Sequence, residues 1–336
     1  MKKNLRDLAI LLVIVGITLW FMLKDGQTAQ IPMVIQHARL IWVLLGLGSM
    51  AGVLLIDGGL IRELSRIVPV RPSWSEAIRY AMIGQYFNLI TPFSSGSQPA
   101  MILAMTLKGR FTTAESTSVI AGKYVLYQIM VTLYAIFLLI AASISLPGKA
   151  HSAVPYALIG IFLHLAVILF MYLAVRNTRT LNRVVFWGGG LLKRIGFTKI
   201  DDGKVREYAD NLAIHIHELA ADKGVILRAG FLTWLQITLY FSIGYLVYRA
   251  FGLATYSYLE IMAVQGLLYM AVSFVPTPGN AGASEGAIYL LFGMFFPAAV
   301  ITAYVLLWRF IVFYLSLLVS GVFTLYDFFF IKPVKP

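Results

Sequence analysis

Between Ala298 and Phe323 the sequence carries a single charge, Arg309, and between Val125 and Leu146 it carries none. These runs constrain the chain more than any other feature. About 20 consecutive apolar residues let a helix cross ~30 Å of hydrocarbon. The composition agrees: 60% of the 336 residues are hydrophobic and 12% are charged, against roughly 25% charged in an average soluble domain. Those proportions exclude a disordered chain, a nucleic-acid-binding tail and an ordinary cytosolic enzyme. The expected class is an all-α polytopic membrane protein.

Six segments are long enough to cross: Leu8–Leu23, Leu40–Leu60, Val119–Leu146, Val154–Val175, Ala229–Tyr248 and Ala298–Tyr326. The first follows a basic start, Met1 to Arg6. No small-residue cleavage site comes after it, so it is expected to be a retained span and not a signal peptide. Two other apolar stretches are interrupted. Ala77–Ile90 and Ala100–Leu107 flank a turn from Thr91 to Pro99; Leu259–Val275 and Gly286–Phe296 flank a turn from Pro276 to Glu285. Most of these arms are too short to cross at ~1.5 Å per residue, and irregular backbone at membrane depth survives only inside protein or beside a water-filled cavity. The expectation is two re-entrant helical hairpins beside six full spans.

Charge placement bears on that topology. With both termini cytoplasmic, 21 of the 27 Lys and Arg residues fall in inside segments and 4 in outside ones; Lys123 and Arg309 fall within spans. This is the positive-inside bias of a plasma-membrane protein, and it accounts for most of the net charge of +12. Anionic headgroups account for the rest; no nucleic-acid partner is expected. The segment 176–228 is expected to be a cytoplasmic loop holding an amphipathic helix, because Val205, Tyr208, Leu212, Ile216 and Leu219 recur at helical spacing after Asp201 and Asp202. It is too short for a separate catalytic domain. There are no cysteines, the five histidines make no metal-spaced pair on one helix face, and no phosphate-binding G-x-x-x-x-G-K-[ST] loop occurs. No metal, cofactor or nucleotide engine is expected.

The two broken stretches superpose without gaps. Thr91 falls on Thr277, Pro92 on Pro278, Gly96 on Gly282 and Lys123 on Arg309, an offset of 186 residues. The unit is span, hairpin, span, with repeat one at about 40–146 and repeat two at about 226–326. Three full crossings separate the hairpins, so the second copy is expected upside down. Inverted repeats with broken helices meeting near the midplane mark transporters.

The residues Gly84-Gln85-Tyr86-Phe87-Asn88, Thr91-Pro92 and Ser95-Gly96-Ser97-Gln98-Pro99 resemble the first motif of the flippase-like family, the transmembrane region of lysylphosphatidylglycerol synthases. Pro276-x-Pro278-Gly279 with Gly282 and Glu285 resembles its second motif; Asn280 stands where the family usually has a second glycine. Asparagine tolerates positive φ better than most residues. The resemblance runs from about Leu8 to Tyr326. It implies movement of a phospholipid, anionic or aminoacylated, between leaflets, with a lipid-modifying enzyme as a possible partner. In full-length relatives a soluble domain transfers lysine from lysyl-tRNA to phosphatidylglycerol. That domain is expected to be absent from this chain, and so is the transferase activity. Two other readings stay open: an intramembrane transferase acting on a lipid-linked donor, and an accessory scaffold for another membrane enzyme.

The headgroup-binding candidates are Glu285, Arg309, Lys123, Asn88, Gln98, Tyr86 and Asn280. A carboxylate within the membrane is costly and faces a cavity or a partner, although Glu285 at a helix start is also favoured by the helix dipole alone. Arg309 lies too deep to snorkel, and Glu285 is its expected partner, as a structural pair or as part of a phosphate site. Lys123 lies nearer the cytoplasmic end, where snorkelling would suffice; Asp57 is expected simply to reach the interface. Thr91, Pro92, Gly96, Pro276, Pro278, Gly279 and Gly282 are expected to make the hairpin turns.

Overall fold

The computed structural model describes residues 31–145, 154–176, 202–273, 283–293 and 295–333, with a few positions between. Every regular element among them is helical. In chain order these are α1 (Ile31–His37), α2 (Leu40–Leu64), α3 (Trp74–Ile90), α4 (Ser97–Lys108), α5 (Thr113–Ser145), α6 (Val154–Arg176), α7 (Asp202–Ala221), α8 (Lys223–Ala250), α9 (Tyr258–Val272), α10 (Ala283–Phe292), α11 (Ala298–Arg309) and α12 (Leu315–Phe330). A single π-helical turn, Phe310–Tyr314, joins the last two. Four described helices are long and apolar enough to cross a membrane: Leu40–Ile67, Thr113–Ala141, Lys223–Ala250 and Val300–Phe330. A shorter apolar stretch, Ala157–Leu173, lies in α6. The chain is thus a helical membrane protein. The expected first span, Leu8–Leu23, lies outside the described residues.

Polar side chains are used to start and line these helices. Ser73 and Glu76 cap α3 reciprocally: the Glu76 N–H donates to Ser73 Oγ at 3.3 Å and the Ser73 N–H to Glu76 Oε2 at 2.8 Å. Ser257 and Glu260 do the same for α9, at 3.3 and 2.7 Å. Thr112 and Glu115 form a third such box before α5, at 3.2 and 2.7 Å. Each box satisfies two otherwise orphaned N–H groups. Inside the long helices, hydroxyls bond the carbonyl four residues back, as Thr132 does to Gln128 at 2.6 Å and Thr324 to Ser320 at 2.8 Å. These groups then need no water in an apolar setting.

Helices α2 and α8 run antiparallel along their whole length. The Arg39 N–H donates to the Ala250 carbonyl at 2.8 Å at one end, and Arg228 Nε meets Glu63 Oε1 at 2.5 Å at the other. Helix α4 doubles back along α3, and the open end of this pair is held by α12. There the buried Asp327 carboxylate takes Arg79 Nε at 3.0 Å and Lys108 Nζ at 2.9 Å. The pair α9–α10 opens at the opposite end, beside the finish of α8: Tyr256 packs edge-on against Phe295 at 4.6 Å between centroids, and Tyr248 against Phe296 at 5.3 Å. Helix α6 packs on α9 through Gly160, where a Cβ would stand 2.2 Å from the Met270 carbonyl oxygen. Only glycine fits that approach. The amphipathic helix α7 lies against the bundle: the Tyr208 hydroxyl donates to Thr117 Oγ1 on α5 at 3.0 Å. Leu212 and Ala213 pack with Tyr208 and Ile216, and three of these, Tyr208, Leu212 and Ile216, belong to the expected apolar stripe.

Candidate functional site

A cavity of about 670 Å³ occupies the middle of the bundle. Its wall is built by α2, the end of α3, the turn after it and the start of α4, and by α5, α6, α8, α9, α11 and the π-helical turn. Four of the sequence candidates come together there: Lys123, Arg309, Asn88 and Gln98. Two of them, Lys123 and Arg309, are the cations that occupy equivalent places in the two superposed stretches.

Lys123 does not snorkel. Its ammonium meets Asp57 Oδ2 at 2.6 Å, and Gln236 Nε2 donates to Asp57 Oδ1 at 3.1 Å and to the Val53 carbonyl at 3.2 Å. Asp57 is therefore not an interfacial carboxylate, as the sequence suggested, but the centre of a three-residue network joining α2, α5 and α8. An ion pair in a low-dielectric wall is stable only when its remaining lone pairs are also satisfied, and Gln236 meets part of that need. Arg309 is 3% exposed and its guanidinium lies 4.8 Å over the Phe313 ring. The π-helical turn begins at the next residue, and such turns are frequent at functional sites. One turn further along α5, the Tyr127 and Tyr269 hydroxyls bond each other at 2.9 Å, and Gln128 Nε2 donates to the Tyr124 hydroxyl at 3.0 Å.

The first hairpin tip is organised differently from expectation. Gly96 has φ −80° and needs no glycine-specific backbone. Positive φ falls instead on Phe93 (54°) and Ser94 (56°), a conformation that costs L residues of order 1 kcal/mol each. Gly96 is needed for space: its Cβ would lie 2.7 Å from Thr91 Cγ2. Thr91 Oγ1 accepts from the Gly96 N–H at 2.9 Å and donates to the Phe87 carbonyl at 2.6 Å, and Pro92 opens a short 3-10 turn. Ser94, Ser95 and Ser97 from this tip face the cavity together with Phe93.

Tyr86 is not in the wall. It is fully buried with Leu89, Phe313, Tyr314 and Leu317 between α3 and the π-helical turn. Glu285 lies in the first turn of α10; its side chain, and with it the expected pair with Arg309, lies outside the described residues. So do Asn280 and the second turn, Pro276, Pro278, Gly279 and Gly282. The wall also holds Asp57, Gln236, Gln265, Tyr127 and Tyr269, which sequence reasoning passed over as sites. One signal was available: a carboxylate within the span Leu40–Leu60 is costly in hydrocarbon and calls for a partner.

The family model described as "Lysylphosphatidylglycerol synthase TM region" matches residues 8–320 of the chain. A relative described as a UPF0104 membrane protein of Archaeoglobus fulgidus is 22% identical over 271 residues, which is 78% of this chain and 79% of that protein.

Proposed function

The chain belongs to the lysylphosphatidylglycerol synthase TM-region family, and from that premise we propose that it moves a phospholipid headgroup between leaflets through the central cavity. One observation carries the reading. A space of about 670 Å³ lies inside apolar helices and is walled by the Asp57–Lys123 pair, Arg309, amides and hydroxyls. That volume suits a small ligand, and intramembrane charges facing a cavity mark substrate pathways. Lys123 and Arg309 are suited to a headgroup phosphate, the guanidinium through its planar fork of donors. The substrate class is an anionic or aminoacylated phospholipid.

The topology we propose with it places both termini in the cytoplasm of a plasma-membrane protein, with α3–α4 and α9–α10 as re-entrant hairpins entering from opposite sides. Helices α4 and α10 begin at Ser97 and Ala283, the same offset that superposes the motifs. The two pairs open toward opposite ends of the bundle. Both facts support two inverted repeats, whose rocking would expose the cavity to each side in turn.

The test is translocation in liposomes carrying leaflet-specific fluorescent phosphatidylglycerol or its lysyl ester. Wild-type protein is expected to accelerate exchange. Lys123→Met and Asp57→Asn are each expected to slow it at least tenfold while the protein stays folded in detergent. Proteoliposomes that exchange neither lipid faster than empty liposomes would overturn the proposal.

A further inference from the structure

A second, smaller pocket of about 190 Å³ lies at the open end of the α3–α4 pair. Pro69, Arg71, Glu76, Tyr80, Gly109 and Arg110 are in its wall. It thus joins three pieces of chain: the segment before α3, the first turns of α3 and the residues just after α4. Tyr80 is fully buried, and its hydroxyl has no hydrogen-bond partner among the described residues. The neighbouring Arg79 guanidinium stands 5.2 Å over the Tyr80 ring. That hydroxyl sits against Gly109, where a Cβ would come within 2.6 Å of it. A buried donor left without a partner is costly, and a small shift of the pocket wall would let a ligand oxygen meet it.

The charge of the wall says which ligand. Arg71 and Arg110 bring two positive charges and Glu76 one negative. Glu76 Oε2 is already occupied by the Ser73 N–H and hydroxyl, both at 2.8 Å. A net single positive charge with a hydroxyl donor suits a monoanion, and arginines suit phosphate oxygens. A phosphate dianion would meet Glu76 at close range without full compensation. The pocket lies at helix ends where basic residues gather, the level at which basic pockets meet headgroups. We infer that this pocket binds the phosphodiester of an anionic phospholipid in the leaflet that meets this end of the bundle. Bound there, the lipid would bridge the start of α3 to the end of α4 beside the Arg79–Asp327–Lys108 cluster, and so hold the first hairpin closed at its open end.

The experiment uses the full chain in an uncharged glycoside detergent. Short-chain phosphatidylglycerol is titrated below its micelle threshold while the thermal unfolding midpoint is followed. The wild type is expected to show a saturable upward shift. Arg71→Gln combined with Arg110→Gln is expected to weaken the apparent affinity at least tenfold. Tyr80→Phe should weaken it by a few-fold. Arg206→Gln combined with Lys223→Gln removes the same charge elsewhere and should titrate as the wild type. If the Arg71/Arg110 variant titrates as the wild type, or if the matching diacylglycerol without phosphate gives the same shift, the inference fails. Inorganic phosphate producing the shift where the lipid does not would overturn the lipid assignment.

Discussion

Where α3 begins and α4 finishes, one buried carboxylate holds the bundle together; where α9 begins and α10 finishes, aromatic rings do. At the first end Asp327 is 6% exposed and takes both Arg79 and Lys108. At the second, Phe292, Phe296 and Tyr304 stack at 4.2–6.2 Å between centroids, with Tyr248 and Tyr256 beside them. Ionic contacts in a dry setting are directional and fail abruptly when one member leaves. Ring contacts accept offset and edge-on arrangements of similar energy, so they survive sliding. If the cavity opens to each side in turn, the two ends have different barriers to separation: one must rehydrate charges, the other must expose apolar rings.

The largest effect is expected from cutting the ionic end. Asp327→Leu leaves two cations without their shared carboxylate and should cost about 3–5 kcal/mol. Replacing all three members, with Arg79→Met and Lys108→Met added, should recover most of that loss, because apolar packing often replaces a buried ion cluster at little cost. The measurement is chemical unfolding in detergent. A single-variant cost below about 1 kcal/mol would mean that water reaches the cluster, and the contrast between the two ends would vanish.

The aromatic end should yield more gradually. Phe296→Leu keeps an apolar side chain but gives up ring pairs with Tyr248, Phe292 and Tyr304. Each such pair contributes about 0.5–1.5 kcal/mol beyond area burial. Such terms are not additive between neighbours and leucine keeps part of the contact, so the expected cost is about 1–3 kcal/mol, and it should be the same at high and low salt. A marked salt dependence of that cost would show that the charges near this end, Arg249 and Glu260, contribute through the ring contacts.

How far the sequence reveals these features depends on the range of the interactions that set them. The spans and the first hairpin's breaks follow from local composition: a run such as Ala298–Phe323 has few alternatives to a membrane helix, and Pro92 stops α3 one turn short of any crossing. The amphipathic helix α7 was equally local, written in its 3.6-residue period. The Asp57–Lys123 pair was not, because 66 residues separate its members and only the packing of α2 on α5 brings them together. Tyr86 failed for a geometric reason: it lies two positions before Asn88, so on a helix the two side chains point to different sides. Asn88 faces the cavity and Tyr86 packs toward Phe313. At the hairpin tip, the Thr91 hydroxyl fixes Gly96 and pushes the unusual backbone onto Phe93 and Ser94, a tertiary choice that composition does not record.

Both ends share one local device. Helix α3 starts at the ionic end and α9 at the aromatic end, and each starts with a Ser-x-x-Glu box of nearly the same lengths. Ser73→Ala and Ser257→Ala should therefore cost about the same, roughly 1 kcal/mol each. Equal costs would show that capping is independent of what surrounds it. A cost at Ser73 well above that at Ser257 would show that the start of α3 also supports the Asp327 cluster.

The smallest effect is a pH dependence at the ionic end. Partial burial pushes the Glu76 carboxyl upward, but the Ser73 N–H and hydroxyl, with Arg79 and Arg110 nearby, outweigh it and hold the group below the ordinary carboxylate range. A group whose folded pKa is depressed binds its proton more weakly in the folded chain. Its contribution to stability is complete above the unfolded value, near pH 4 to 5, and is lost as the pH falls through the lower folded value. Because the carboxylate is only partly buried and solvent screens it, the contribution is small, about a few tenths of a kcal/mol. Comparing unfolding midpoints from pH 6 down to pH 3, wild type should lose slightly more stability than Glu76→Gln, whose side chain does not titrate. Identical acid slopes for the two proteins would remove Glu76 from the ionic end's electrostatics and leave it as a cap alone.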